Sequence, residues 1–130
     1  MTDPVRYPFG LVLDCADPER LASFWSAALH YSVAGAAGSY VALYPLAGSG
    51  AGPKLLLQRV TEPKAGKNRM HLDIDADDID AEAARLQALG ARLVDREPCH
   101  EHGTTWLVMA DPEGNEFCVC DGGRGRRSAT

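Results

Sequence analysis

The chain has 130 residues and a mass of 13.9 kDa, a length suited to one domain with a real core. Its apolar fraction of 45% and charged fraction of 24% are ordinary for a soluble protein, and no apolar run approaches the roughly 20 residues of a membrane span. The net charge of −5 argues against nucleic acid as a partner. The opening MTDPVRYPFG has no basic stretch followed by an apolar one, so no secretory signal is expected. Cys15, Cys99, Cys118 and Cys120 lack zinc-knuckle spacing and are expected to be reduced thiols of a cytoplasmic protein.

In chain order, Phe9–Cys15 alternates as a strand. Asp17-Pro18-Glu19 then starts a helix: an Asp N-cap, Pro at the first helical position and an acid in the first turn. Leu21, Phe24, Trp25, Ala28 and Leu29 form one apolar stripe, which makes Trp25 a core residue. Strands are expected at Tyr31–Ala34, Ser39–Tyr44 and Lys54–Val60, and Thr61–Asn68, with Pro63 and Gly66, reads as a linker. A second series opens with a strand over Arg69–Asp75. Asp77 or Asp78 caps the next helix, Ile79, Ala83, Leu86 and Leu89 are its buried side, and Gly90 ends it. Strands follow at Ala91–Asp95, Thr104–Ala110 and Asn115–Cys120, with Asp111-Pro112-Glu113-Gly114 as the turn between the last two.

The chain therefore states one pattern twice. LVLDCADPERLASFWSAAL at 11–29 and MHLDIDADDIDAEAARLQAL at 70–89 are both strand, acidic turn and amphipathic helix, offset by roughly sixty residues. The expected class is α+β, βαβββ twice, in one domain over 1–123. Module one covers about 5–60, the linker 61–68 and module two 69–121, with residues 124–130 a disordered tail. A domain of two such modules commonly places its ligand site between them.

Period-two alternation assigns the faces. Met70, Leu72 and Ile74 form an apolar set suited to packing on a helix, which turns His71 and Asp73 the other way. Phe117 and Val119 oppose Glu116, Cys118 and Cys120 in the same manner. Asp14 and Gln58 complete a polar inner face that suggests a ligand cleft. His71 is either a ligand or acid–base group of that cleft or a structural hydrogen-bonding histidine. Asp73 either orients His71 or is a solvated carboxylate. Glu116 is a general base if the cleft wall raises its pKa, and otherwise half of a salt bridge. Cys118 and Cys120 are a soft-metal pair or, by preference, apolar filler. Lys67-Asn68-Arg69 either grips an anionic substrate, with Arg69 as the binding group, or is a solvated linker end. Trp106 shares a face with Val108 and is core or a stacking surface for a flat ligand. Cys99-His100-Glu101-His102 reads as a loop bordering the cleft.

Three stretches, LDCADPERLASFWSAAL at 13–29, KNRMHLDIDADD at 67–78 and VMADPEGNEFCVC at 108–120, carry a family resemblance. The chain resembles the vicinal-oxygen-chelate superfamily of glyoxalase I, extradiol dioxygenases and bleomycin-resistance proteins, and its middle stretch is similar to the glyoxalase-like branch. The resemblance implies two βαβββ modules curling into an incomplete eight-stranded barrel around a cleft, with dimers as the usual assembly. It also implies a divalent metal (Zn, Ni, Mn or Fe) held by the first and fourth strands of each module. Here His71 matches a ligand position, Gln58 stands where a Glu is usual, Cys118 replaces the last carboxylate, and Phe9-Gly10-Leu11-Val12 offers no donor. With His71, Gln58 and Cys118 as the whole set, the metal-free reading is preferred, and well under one metal per chain is expected.

Two functions follow. One is a glyoxalase-like lyase or isomerase acting on a small oxygenated metabolite, with His71 as its central polar group, helped by Asp73, Glu116 and Gln58. The other is a non-catalytic binding protein of the bleomycin-resistance type, holding a drug or natural product. The open edges of a curved sheet favour pairing with a second copy. Light scattering at micromolar concentration is expected to give a homodimer, and a 13.9 kDa species would contradict it.

Overall fold

The computed structural model describes residues 9–46 and 52–122. Residues 5–8 of the expected first module and the tail at 124–130 lie outside the described residues. The chain divides into two compact units, Met1–Pro63 and Lys64–Thr130, and the division falls inside the expected linker.

The first unit runs β1 (Gly10–Cys15), α1 (Pro18–Leu29), β2 (Tyr31–Ala37), β3 (Tyr40–Pro45) and β4 (Lys54–Arg59). Its sheet order is β1-β4-β3-β2, with β1 parallel to β4 and the other pairs antiparallel. The second unit runs β5 (Asp73–Asp75), α2 (Ile79–Leu89), β6 (Arg92–Leu93), β7 (Cys99–Glu101), β8 (Thr104–Ala110) and β9 (Glu116–Cys120). Its order is β5-β9-β8-β6, with β7 also on β8 and β5 parallel to β9. This is a mixed α+β structure in which the two units repeat one connectivity. Among the described residues no helix is long and apolar enough to cross a membrane.

Helix α1 starts where its sequence signals place it. The Asp17 side chain accepts the Arg20 N–H at 3.2 Å, and Pro18 occupies the first turn. Its apolar stripe lies on β2, β3 and β4, with Leu21, Phe24 and Trp25 almost fully buried and the two aromatic rings edge-to-face at 5.0 Å. Asp78 caps α2 by accepting the N–H groups of Asp80 and Ala81. Ile79, Ala83 and Leu86 are buried, but Leu89 is 37% exposed and leaves the stripe, because α2 ends there at Gly90 with φ 120.

Several expected boundaries move. The strand expected over Arg69–Asp75 pairs only from Asp73, and Met70 is 73% exposed rather than packed on a helix. Residues 69 and 70 form a bend outside the ladder, where alternation has no face to serve. The strand expected at Ala91–Asp95 contracts to Arg92–Leu93. The expected loop at Cys99–His102 is largely strand. Glu101 pairs with Thr104 across a two-residue turn, His102-Gly103, whose φ angles of 52 and 77 are those of a tight hairpin. Strand β2 continues to Ala37 through a register shift between Val33 and Gly35. Strands β6 and β7 stand along β8 as β2 stands along β3, with the small irregularity of β2 widened into the break at 94–98.

The β8–β9 turn is fastened by Asp111, which is 2% exposed. Its Oδ1 accepts the N–H of Glu113 at 2.8 Å and of Asn115 at 3.0 Å, and Oδ2 accepts from Asn115 Nδ2 at 2.9 Å. Asp111→Ala strands these buried donors and is expected to destabilise the protein by about 2–3 kcal/mol in urea unfolding, more than Asp111→Asn, which keeps one acceptor. A loss under about 0.5 kcal/mol would contradict this role of the turn.

Candidate functional site

The second unit holds a cavity of about 510 Å³ over the face of its sheet turned away from α2. Alternation selects its wall. On β9, Phe117 and Val119 are buried against α2, while Glu116, Cys118 and Cys120 reach the cavity. On β8, Leu107 and Met109 are core, while Thr104, Trp106 and Val108 line the cavity. Register sets the rows across the strands. Asp73, Cys118 and Val108 stand side by side, and Asp75, Cys120 and Trp106 form the next row.

His71 precedes the ladder, where the Cys118 N–H donates to the Leu72 carbonyl at 2.9 Å and fixes the chain on either side of Leu72. Its Nδ1 lies 3.4 Å from Asp73 Oδ1, with both side chains well exposed. One donor atom from each of His71, Asp73 and Cys118 falls within 4.8 Å of the other two. Burial pushes the Cys118 thiol up to about 11, and the Asp73 carboxylate adds to the effect. Cys120 is pushed up to about 12 by the same two causes in the same order. Both are protonated at neutral pH. None of the four cysteines forms a disulfide.

Glu116 has a different surrounding from the one a general base needs. Its Oε1 accepts the Asn68 N–H at 2.9 Å and lies 3.1 Å from Lys64 Nζ, which also donates to the Gly66 carbonyl. The Asn68 N–H is the main cause holding its carboxyl below the usual range, with Lys64 adding to it and burial opposing. The raised pKa that would make Glu116 a base is absent. It fastens the 64–68 segment beside the cavity.

His71, Asp73, Glu116, Cys118 and Trp106 thus meet on one cavity. Arg69 does not line it, and Lys67 is the cation of that segment that does, because the bend at 69–70 turns the chain before the ladder begins. Asp14 and Gln58 belong to the first unit, where they are direct cross-strand partners on β1 and β4. Glu101, His102 and Thr104 also line the cavity. A His-Gly pair between two β-prone segments was the available sign of the hairpin that brings them there. His100 accompanies them in sequence, but its Nδ1 is engaged at 2.9 Å with Thr105 Oγ1.

The positions at which the family resemblance implies metal ligands do not make a carboxylate-rich site. Phe9–Val12 carry no donor, Gln58 is a neutral amide and Cys118 is a thiol. That set does not suit Mn²⁺ or Fe²⁺. The imidazole, carboxylate and thiol of His71, Asp73 and Cys118 suit Zn²⁺.

A family model for the glyoxalase-like domain matches residues 10–120. The fold is shared with a glyoxalase/bleomycin resistance protein/dioxygenase family enzyme from Burkholderia phytofirmans, at TM-score 0.69 and 16% identity over 85% of this chain and 94% of that one. It is shared too with a protein from Agrobacterium tumefaciens, at TM-score 0.67 and 17% identity over 88% of this chain and 96% of that one. A glyoxalase/bleomycin resistance protein/dioxygenase from Nocardioides matches at TM-score 0.66 and 18% identity over 100% of this chain and 91% of that one. No curated protein matches the sequence.

The lowered pKa of Glu116 gives a pH dependence of known sign. The folded value lies below the unfolded one, so the stabilisation is full above the ordinary glutamate range and is lost as pH falls through the folded value. Glu116→Gln keeps an acceptor for Asn68 but loses the charge. It is expected to lower the thermal midpoint by roughly 2–4 °C at neutral pH, with the gap closing in acid. A gap that stays constant with pH would contradict the assignment.

Proposed function

The chain belongs to the glyoxalase-like domain family, and we propose that it is a lyase or isomerase acting on a small oxygenated metabolite bound in the cavity of the second unit. The observation that carries this reading is the division of the cavity wall. His71 and Asp73, 3.4 Å apart, bring polar groups to it, and Trp106 and Val108 on β8 bring apolar surface. A carbonyl compound would lay its carbon skeleton on Trp106 and Val108 and turn its oxygens toward His71.

In this reading His71 donates a hydrogen bond to the carbonyl oxygen. The bond strengthens as negative charge builds there when the neighbouring carbon loses its proton. The Asp73 carboxylate, beside His71 on the same cavity, takes that proton from the carbon. Return of the proton to the adjacent carbon gives isomerisation, and departure of a β-substituent gives elimination, so neither outcome needs an oxidant or reductant. Lys67, at the cavity edge, suits an anionic group on the substrate.

The apolar wall also favours a second reading, binding without turnover in the manner of drug-sequestering relatives. One experiment separates the two. Small α-hydroxy carbonyl compounds are incubated with the protein in D₂O, and loss of the C–H signal is followed by proton NMR. The enzyme reading predicts exchange that falls about 10²–10³-fold in His71→Phe, without a fall in thermal midpoint. Saturable binding with no exchange above the buffer rate would instead establish the binding reading.

A further inference from the structure

We propose that the substrate of this cavity carries an anionic group, a phosphate or a carboxylate, close to its reacting carbonyl, and that Lys67 is the residue that selects it. The inference deepens the functional reading and rests on it only for the placing of the carbonyl at His71. A preference for anions is a property of binding and does not require that any particular reaction occurs.

The charges near His71 are matched locally, with one exception. Glu116 accepts the Asn68 N–H at 2.9 Å and lies 3.1 Å from the Lys64 ammonium. Asp73 lies 3.4 Å from the His71 imidazole. Lys67 lines the same cavity with an exposed side chain, and among the described residues no ion pair engages it. An ammonium left unmatched on the wall of a concave site is a recognition group for phosphate or carboxylate oxygens.

Register fixes where that cation stands. Along β8 and β9, Glu116 faces Ala110, Cys118 faces Val108 and Cys120 faces Trp106. The Asn68 N–H on Glu116 holds Lys67 at the Ala110 end of this series. Its ammonium is near enough to Cys118 for its field to oppose the burial that raises that thiol. His71 joins the sheet at the neighbouring row, where Asp73 pairs with Cys118. The cation and the imidazole therefore share one end of the cavity. Glu101 stands at the other end, opposite Thr104. At about 3.4 Å per residue, Thr104 and Ala110 are roughly 20 Å apart along β8. That exceeds the Debye length of about 8 Å, so Glu101 does not neutralise Lys67.

This placement gives the substrate a direction. With the carbonyl oxygen at His71, a group a few bonds away comes within reach of the Lys67 side chain. The rest of the molecule runs over Val108 and Trp106 toward Glu101, which repels a second anion there. The substrate class is an α-hydroxy carbonyl compound with its anionic group near the carbonyl and none at its far end. The same ammonium favours the negative charge that builds as the carbon loses its proton.

Three α-hydroxy carbonyl compounds that differ in charge serve as probes. Dihydroxyacetone is neutral, hydroxypyruvate carries a carboxylate, and dihydroxyacetone phosphate carries a phosphate. Binding to the full chain is measured by titration calorimetry, and proton exchange in D₂O is followed on the same samples. At least one anion is expected to bind roughly tenfold more tightly than dihydroxyacetone, the gain from one charge-assisted contact. The tighter of the two anions identifies the group as phosphate or carboxylate. The gain should shrink as salt is raised and vanish in Lys67→Met. Lys67 is exposed, so this variant does not threaten the fold, and equal thermal midpoints verify that. Equal binding of all three compounds, a preference for anions that survives Lys67→Met or is untouched by salt, or no binding of either anion at millimolar concentration would overturn the proposal. Lys67-dependent binding of an anion, with no exchange on any of the three, would sink the lyase or isomerase reading and leave the anion site standing. Exchange on dihydroxyacetone as fast as on both anions would do the reverse.

Discussion

The second unit depends on one register. Asp73 pairs with Cys118, Ile74 with Val119 and Asp75 with Cys120 in a parallel ladder of three rows. Side chains alternate along both strands, so a slip of one residue would set Ile74 beside Cys118 and turn the charges of β5 into the helix layer. Burial forbids that slip. Val119 and Phe117 are almost wholly buried against α2, and an Asp in their layer would carry an uncompensated charge. The packing of β9 under α2 therefore selects the register, and the register selects which groups meet in the cavity.

The same constraint explains why a short strand suffices. Strand β5 has only three residues in the ladder, but the chain before it is held from two sides. The Cys118 N–H reaches back to the Leu72 carbonyl, and Glu116 takes the Asn68 N–H and the Lys64 ammonium. Glu116, read in the sequence as a base or as half of a salt bridge, thereby fixes the approach to His71 and is itself held ionised. The two carboxylates of this face differ in their surroundings: Asp73 is exposed to the cavity, and Glu116 is committed to the Asn68 N–H and the Lys64 ammonium.

Much of this was legible in the residues. Asp17-Pro18 marked the start of α1, and Thr104–Ala110 is the strand that its alternation predicts. The internal repeat pointed to two units of one connectivity, with the family resemblance covering nearly the whole chain. The shared face of His71, Asp73, Glu116 and Cys118 followed from counting by two, whereas Trp106 stood open between core and stacking surface. What was hidden is what alternation cannot state. Cys99–Glu101 has no apolar rhythm, because an edge strand on β8 with His100 and Glu101 exposed needs none. Met70 continues the rhythm of Leu72 and Ile74 but stands outside the ladder, where no neighbour buries it. The partnership of Asp73 with Cys118 joins residues 45 positions apart, and nothing local in the sequence sets that pairing.

The register itself is open to a direct measurement. Nuclear Overhauser contacts from the Cys118 amide proton, in labelled protein, report which residue of β5 lies across from it. The account predicts contacts to the α-protons of Leu72 and Asp73, the pair that flank the carbonyl accepting that amide. Contacts to the α-protons of Asp73 and Ile74 instead, with none to Leu72, would mean a ladder shifted by one residue. That result would place Asp73 on the wrong face and contradict the site from which the functional reading is built.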